Sequence, residues 1–324
     1  MKKHVASFDY LRVFACLLVL LCHWTQSVGH AEWAGCLSGG TGNTLFFALS
    51  GLLLGAASAG GGGYKLDFFK KRFLRLYPAF CILLVVHIGV LYGTGVRLPA
   101  RSLILNFLGL SWFAHLPGTR HLWFVTGIAG LYALLFALSH MGARRWSVPL
   151  CCAGLLALQV LLKAVGISQG SYCSLLLAGV LGFACGPYVE RISARTPRGL
   201  RIASLPVALA VYGLVCTALN GISPGHVPFY WAAFASAVLM VACAVLNADN
   251  LPPPPRIVGF LGGISYEIYL VHHPLCIGPL SLARLHLPTG LYFLVFCVLT
   301  VVLSYGLHLG ARAIVRAIPG SVRG

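Results

Sequence analysis

Residues 8–24 read FDYLRVFACLLVLLCHW, and this stretch decides the fold. From Tyr10 to Val28 almost every residue is apolar, so the run reaches the roughly 20 residues a helix needs to cross a bilayer. Arg12 stands at its beginning and His23 sits deep within it. Further runs of the same kind follow along the chain. The apolar stretches predict ten spans, at about 10–28, 43–59, 76–94, 121–139, 147–166, 171–188, 202–220, 227–247, 257–280 and 288–310. The segment 101–113 is apolar but short, which fits a re-entrant or interfacial element.

Composition supports the same reading. Charged residues make up 9% of the chain, against about 25% in soluble domains, so a water-facing surface could not be covered. The short alternating segments of a β-barrel are absent from the sequence. The 38 Gly and 17 Pro suit membrane helices, where small residues let backbones pack closely. The fold class is therefore all-α, a polytopic integral membrane helix bundle. It is expected to form a single membrane domain over 1–324 with no appended soluble domain.

The formal net charge of +17 reads as topology and not as a nucleic-acid surface. With the N-terminus in the cytoplasm, all but five of the 23 Lys and Arg fall on the cytoplasmic side. The exceptions are Arg97, Arg101, Arg120, Lys163 and Arg284. Both termini are then cytoplasmic, and the first span is an uncleaved helix despite the weak cleavage-like Gly29-His30-Ala31. Gly60 to Gly63 reads as a flexible loop and Pro252 to Pro255 as a stiff linker. Most of the 12 Cys lie inside apolar runs without metal-ligand spacing, so neither a structural disulfide nor a metal site is predicted.

Polar residues inside spans are costly and mark candidate sites. Arg12 and His23 are eleven residues apart, which puts them within roughly 20° of one helix face and about 16 Å apart along it. Asp9 is placed to pair with Arg12. The bland alternative is an edge Arg and a His satisfied by a neighbouring helix. Phe68 to Pro78 interleaves Lys70, Lys71, Arg72 and Arg75 with aromatics, as either a lipid-anchored interfacial segment or a phosphate site would. His121 and Trp123 open the fourth span, where an aromatic belt is the plain reading. In the ninth span Ser265, Tyr269 and His272 share a face, and Glu267 is the acid well inside it. A polar interhelical network is the alternative there. Ser50 and Gly51 allow close helix packing in the second span.

In this order, FDYLRVFACLLVLLCHW, FFALSG, KRFLRLYP, HLWF and SYEIYLVHHP resemble the motifs of the membrane-bound acyltransferase family 3, over nearly the whole chain. The resemblance implies about ten membrane helices. It also implies transfer of an acyl group, often acetyl, from acyl-CoA (acetyl-CoA) to a hydroxyl of a cell-envelope saccharide or lipid-linked acceptor. It favours His272 over His273 as the functional histidine. Under it, Arg12, Lys71, Arg72 and Arg75 are expected to bind the donor phosphates. His23 is expected to act as general base, with Tyr269 and His272 stabilising the oxyanion or positioning the acceptor. His121, Trp123, Ser265 and Glu267 fall to the acceptor side. The expected location is the bacterial inner membrane, with the bilayer as partner, no nucleic acid, and a homo-oligomer left open. The rival function is a secondary transporter or exporter using the intramembrane His, Arg and Glu, against which the lack of an internal repeat counts.

Overall fold

A computed structural model describes residues 5–30, 39–58, 63–141, 144–166, 172–218, 227–248 and 250–318. Lys2, Lys3, Ala31, Gly60 to Gly62 and Arg323 lie outside these residues. The described chain is all-helical. Its helices are α1 (Ala6–Ser27), α2 (Gly39–Ala57), α3 (Asp67–Gly93), α4 (Ala100–Phe107), α5 (Trp123–His140), α6 (Arg144–Ala164), α7 (Tyr172–Cys185), α8 (Val189–Arg195), α9 (Arg198–Ala218), α10 (Val227–Leu246), α11 (Arg256–Gly263), α12 (Ser265–Cys276) and α13 (Thr289–Ala317). Helices satisfy their own backbone, which hydrocarbon surroundings require.

Eight helical stretches among the described residues are long and apolar enough to cross a membrane. They correspond to the first seven predicted spans and the tenth. Of the eighth, Tyr230–Leu246 is an apolar helix of shorter length. The ninth is not one helix. It breaks at Gly263 and Ile264 into α11 and α12. Paired glycines, Gly262 and Gly263, weaken the helix there, and Pro274 and Gly278 (φ +104°) end it early. The segment 101–113 contains α4, too short to span, followed by turns.

Large apolar side chains face outward throughout. Val160 on α6 and Leu214 on α9 are each 70% exposed. Water would not tolerate so many such faces, and a bilayer does. The protein is thus a multi-pass membrane protein.

The chain divides into two compact units, residues 1–64 with 130–262, and 65–129 with 263–324. In the first, α2 lies directly on α7. A Cβ on Gly51 would sit 1.8 Å from the Gly179 carbonyl oxygen, and one on Gly182 would sit 2.2 Å from that of Ala48. The close packing expected of Gly51 is therefore present. Leu11, Leu18, Leu45, Leu49, Leu52 and Ala237 form the core against which α1, α2 and α10 pack. In the second unit α3, α12 and α13 enclose Phe80, Leu84, Leu122, Leu270, Val271 and Leu307.

Candidate functional site

The first unit holds Arg12 and His23. Arg12 Nη1 donates to Asp9 Oδ1 at 3.0 Å, one helical turn back, with both side chains largely buried. The pairing neutralises a guanidinium that is expensive to bury alone. Ser7 Oγ donates to the Ala244 carbonyl at 2.8 Å and ties the beginning of α1 to α10. His23 is half-buried near the other end of α1. Because α1 is unbroken from Ala6 to Ser27, the two residues keep the common face that their spacing predicts.

The remaining predicted residues belong to the second unit. The first nine residues of α3 hold Lys70, Lys71, Arg72 and Arg75 against a single acid, Asp67. Lys71 Nζ lies 2.9 Å from Asp67 Oδ2, and that hydrogen bond holds the Asp67 carboxyl below its ordinary range. The Arg72 guanidinium lies 5.5 Å from the centre of the buried Phe68 ring. Arg75 is exposed. Cations at a helix N-terminus oppose the helix dipole, and an anion bound there would offset that conflict. Lys71, Arg72 and Arg75 are the residues suited to hold phosphate.

A group of histidines gathers around the loop 116–122. Pro274 has no N–H, so the Leu270 carbonyl one turn back loses its usual helical donor. His121 Nε2 takes that place at 3.0 Å. In return the Tyr269 hydroxyl donates to the His121 carbonyl at 3.1 Å. His273 Nδ1 donates to the Gly118 carbonyl at 2.9 Å, and His87 Nε2 donates to that of Pro117 at 2.8 Å. His121 and His273 stack with ring centres 4.5 Å apart. Gly118 and Gly278 both have positive φ, and a Cβ on Gly278 would meet the Gly118 Cα at 2.6 Å, so the two turns touch through bare backbone.

His272 is fully buried, with Nδ1 3.2 Å from the Ile268 carbonyl. A carbonyl only accepts, so Nδ1 carries a hydrogen, and the lone pair of a neutral ring would then be on Nε2. That is the form a general base requires. Its ring meets those of His121 and Tyr269 edge-on, each at 5.5 Å. Tyr269 has one O–H, and it is already committed to His121. Ser265 and Glu267 are buried in the same helix, and Trp123 packs edge-on to Trp112 at 6.3 Å. Glu267 Oε1 pairs with His308 Nδ1 of α13 at 2.8 Å, which is the interhelical network weighed as the alternative for this segment.

His87 and His308 were missed by the sequence reading. Both sit inside apolar runs, the same signal that marks His23.

No solved structure matches this chain at a significant level. A curated relative, the exopolysaccharide production protein ExoZ of Rhizobium meliloti (strain 1021), is 23% identical over 267 residues, covering 78% of this chain and 80% of the relative. The family model described as an acyltransferase domain matches residues 5–309, through both units. With nearly its whole length so matched, the chain belongs to the membrane-bound acyltransferase family 3.

Proposed function

We propose that this protein transfers an acyl group, acetyl, from acetyl-CoA on the cytoplasmic side of the inner membrane to a hydroxyl of a cell-envelope saccharide. The observation that carries the reading is α1. It crosses the membrane with a neutralised Arg12 near one end and His23 about three turns away on the same face, in a chain of acyltransferase family. The curated relative's link to exopolysaccharide production supports a saccharide acceptor.

In the proposed step, neutral His23 takes the proton of the acceptor hydroxyl as its oxygen attacks the thioester carbonyl. The C–O bond forms, the C–S bond breaks, and the leaving thiolate recovers the proton from His23. Arg12, Lys71, Arg72 and Arg75 are proposed for the donor's phosphates, as the cation-rich opening of α3 fits. His272 is proposed as the group that positions the acceptor hydroxyl, accepting its hydrogen at Nε2, with Tyr269 and His121 packed against the ring. Trp123, Ser265 and Glu267 are proposed for the acceptor side. Both units are proposed to act as one domain, with about ten crossings and both termini in the cytoplasm.

The test uses the full chain in nanodiscs with radiolabelled acetyl-CoA and an envelope extract. Wild type should label a saccharide fraction, and His23→Ala should lose transfer by at least about a hundredfold while remaining monodisperse. A folded His23→Ala protein with wild-type turnover sinks the base assignment. Uptake of solute without acyl turnover by the wild type would point to transport instead.

A further inference from the structure

An open cavity of about 780 Å³ lies within the first unit, between α1, α9 and α10. Its volume falls in the range of small-ligand sites. Its lining is sorted by depth. Ser7 and Tyr10 near the start of α1, Arg198 and Arg201 at the start of α9, and Asn247 and Asn250 just beyond α10 are among its polar members. Further along the same helices the lining becomes Phe14, Leu205, Leu209 and Met240. From Arg198 to Leu209 is eleven residues of helix, about 16 Å. That is close to half the roughly 30 Å hydrocarbon thickness, the depth of one leaflet.

The cavity lining does not include Arg12, the residue of α1 proposed for the donor. Tyr10 and Phe14 each lie about 160° around the helix from Arg12. It also opens sideways. Ile202, Leu205 and Leu209, which line it, are 65%, 51% and 50% exposed on a helix whose outer face is apolar. Arg198 makes no hydrogen bond or ion pair with any described residue, whereas Arg201 holds the Thr196 carbonyl and the Asn250 side chain. A guanidinium with no partner among the described residues, at the mouth of an apolar slot one leaflet deep, matches an amphiphile with an anionic head.

We infer that this cavity holds one anionic phospholipid, its phosphate against Arg198 and an acyl chain along Leu205, Leu209, Phe14 and Met240. The topology proposed above puts Arg198, and so this lipid, in the cytoplasmic leaflet; the ligand class does not rest on that topology. Acetyl-CoA is a poor fit because it has no long apolar tail to fill the inner part of the slot.

Photoactivatable phosphatidylglycerol and phosphatidylcholine, matched in chain length, test this with the full chain in nanodiscs and peptide mapping by mass spectrometry. Wild type should be labelled on α9 and α10 by phosphatidylglycerol at least about tenfold more than by phosphatidylcholine. Arg198→Ala should bring the two to parity. Leu205→Trp, which fills the slot, should remove labelling by both. Equal labelling of the wild type by the two lipids would overturn the inference. So would displacement of the label by acetyl-CoA or by a polyprenyl phosphate, which would make the cavity a substrate site. If either variant fails to fold, the wild-type preference and the competition decide the matter alone.

Discussion

The His121 to Leu270 hydrogen bond yields a prediction with an internal control. Replacing His121 with Phe keeps an aromatic ring against His273 and Tyr269 but removes the Nε2 donor. The Leu270 carbonyl, freed of its helical partner by Pro274, is then buried without a donor. An unsatisfied buried acceptor costs about 1–3 kcal/mol. Pro274→Ala supplies the missing N–H, because alanine at that position donates back to Leu270 in an unbroken helix. Alone it should be nearly neutral, since one carbonyl accepts two hydrogen bonds. Combined with His121→Phe it should recover most of the loss, a coupling of about 1–2 kcal/mol. Amide hydrogen exchange across 265–276 in detergent reads this directly. His121→Phe should speed exchange of those amides by about 5–150-fold, and the double variant should return it towards wild type. Equal exchange in the single and double variants would refute the claim that His121 replaces the donor that Pro274 lacks.

Three further outcomes follow from the geometry. Gly182→Val should abolish folding, because its Cβ would fall 2.2 Å from the Ala48 carbonyl oxygen, whereas Gly130→Ala, with nothing within 4 Å, should elute as wild type on size exclusion. His308→Ala should destabilise the protein by leaving the buried Glu267 carboxyl without its imidazole, and adding Glu267→Gln should restore part of the thermal stability. Asp67 should titrate below the ordinary aspartate range by carbon-13 NMR, and Lys71→Ala should raise its midpoint. The sign is that of a lowered carboxyl. Any stabilisation by the Asp67–Lys71 pair is present above the unfolded pKa of Asp67 and disappears as pH falls through the folded value.

Much of this molecule was legible from periodicity and charge. Long apolar runs show up because hydrocarbon forces each crossing to be a self-satisfied helix, and the Asp9–Arg12 pair shows up because a turn of helix brings the two together. The break in the ninth span was less legible. Apolar composition continues through Gly262, Gly263 and Pro274, so hydropathy runs straight across a backbone that does not. The partners of Glu267 and Leu270 were not legible at all. They come from α13 and from the turn before α5, and no local spacing reports a contact across 41 or 149 residues.

The same contacts divide the histidines by chemistry. In a membrane, every carbonyl released by a proline or a tight turn needs a donor, and water is not there to supply one. His87, His121 and His273 each supply an N–H to such a carbonyl, at Pro117, Leu270 and Gly118. Deleting one of these rings leaves its carbonyl without that donor. The dense group of histidines in this chain's second unit is thus first a backbone lock, and density alone does not mark a proton relay. His272 differs because the carbonyl it meets, Ile268, lies one turn back in its own helix, so this hydrogen bond does not hold the loop. If that division is right, substitutions at His87, His121 and His273 should lower thermal stability and activity together, while His272→Gln should lower turnover by at least about tenfold in a protein that melts as wild type. A His272→Gln protein that loses stability in step with activity would place His272 in the lock with the other three.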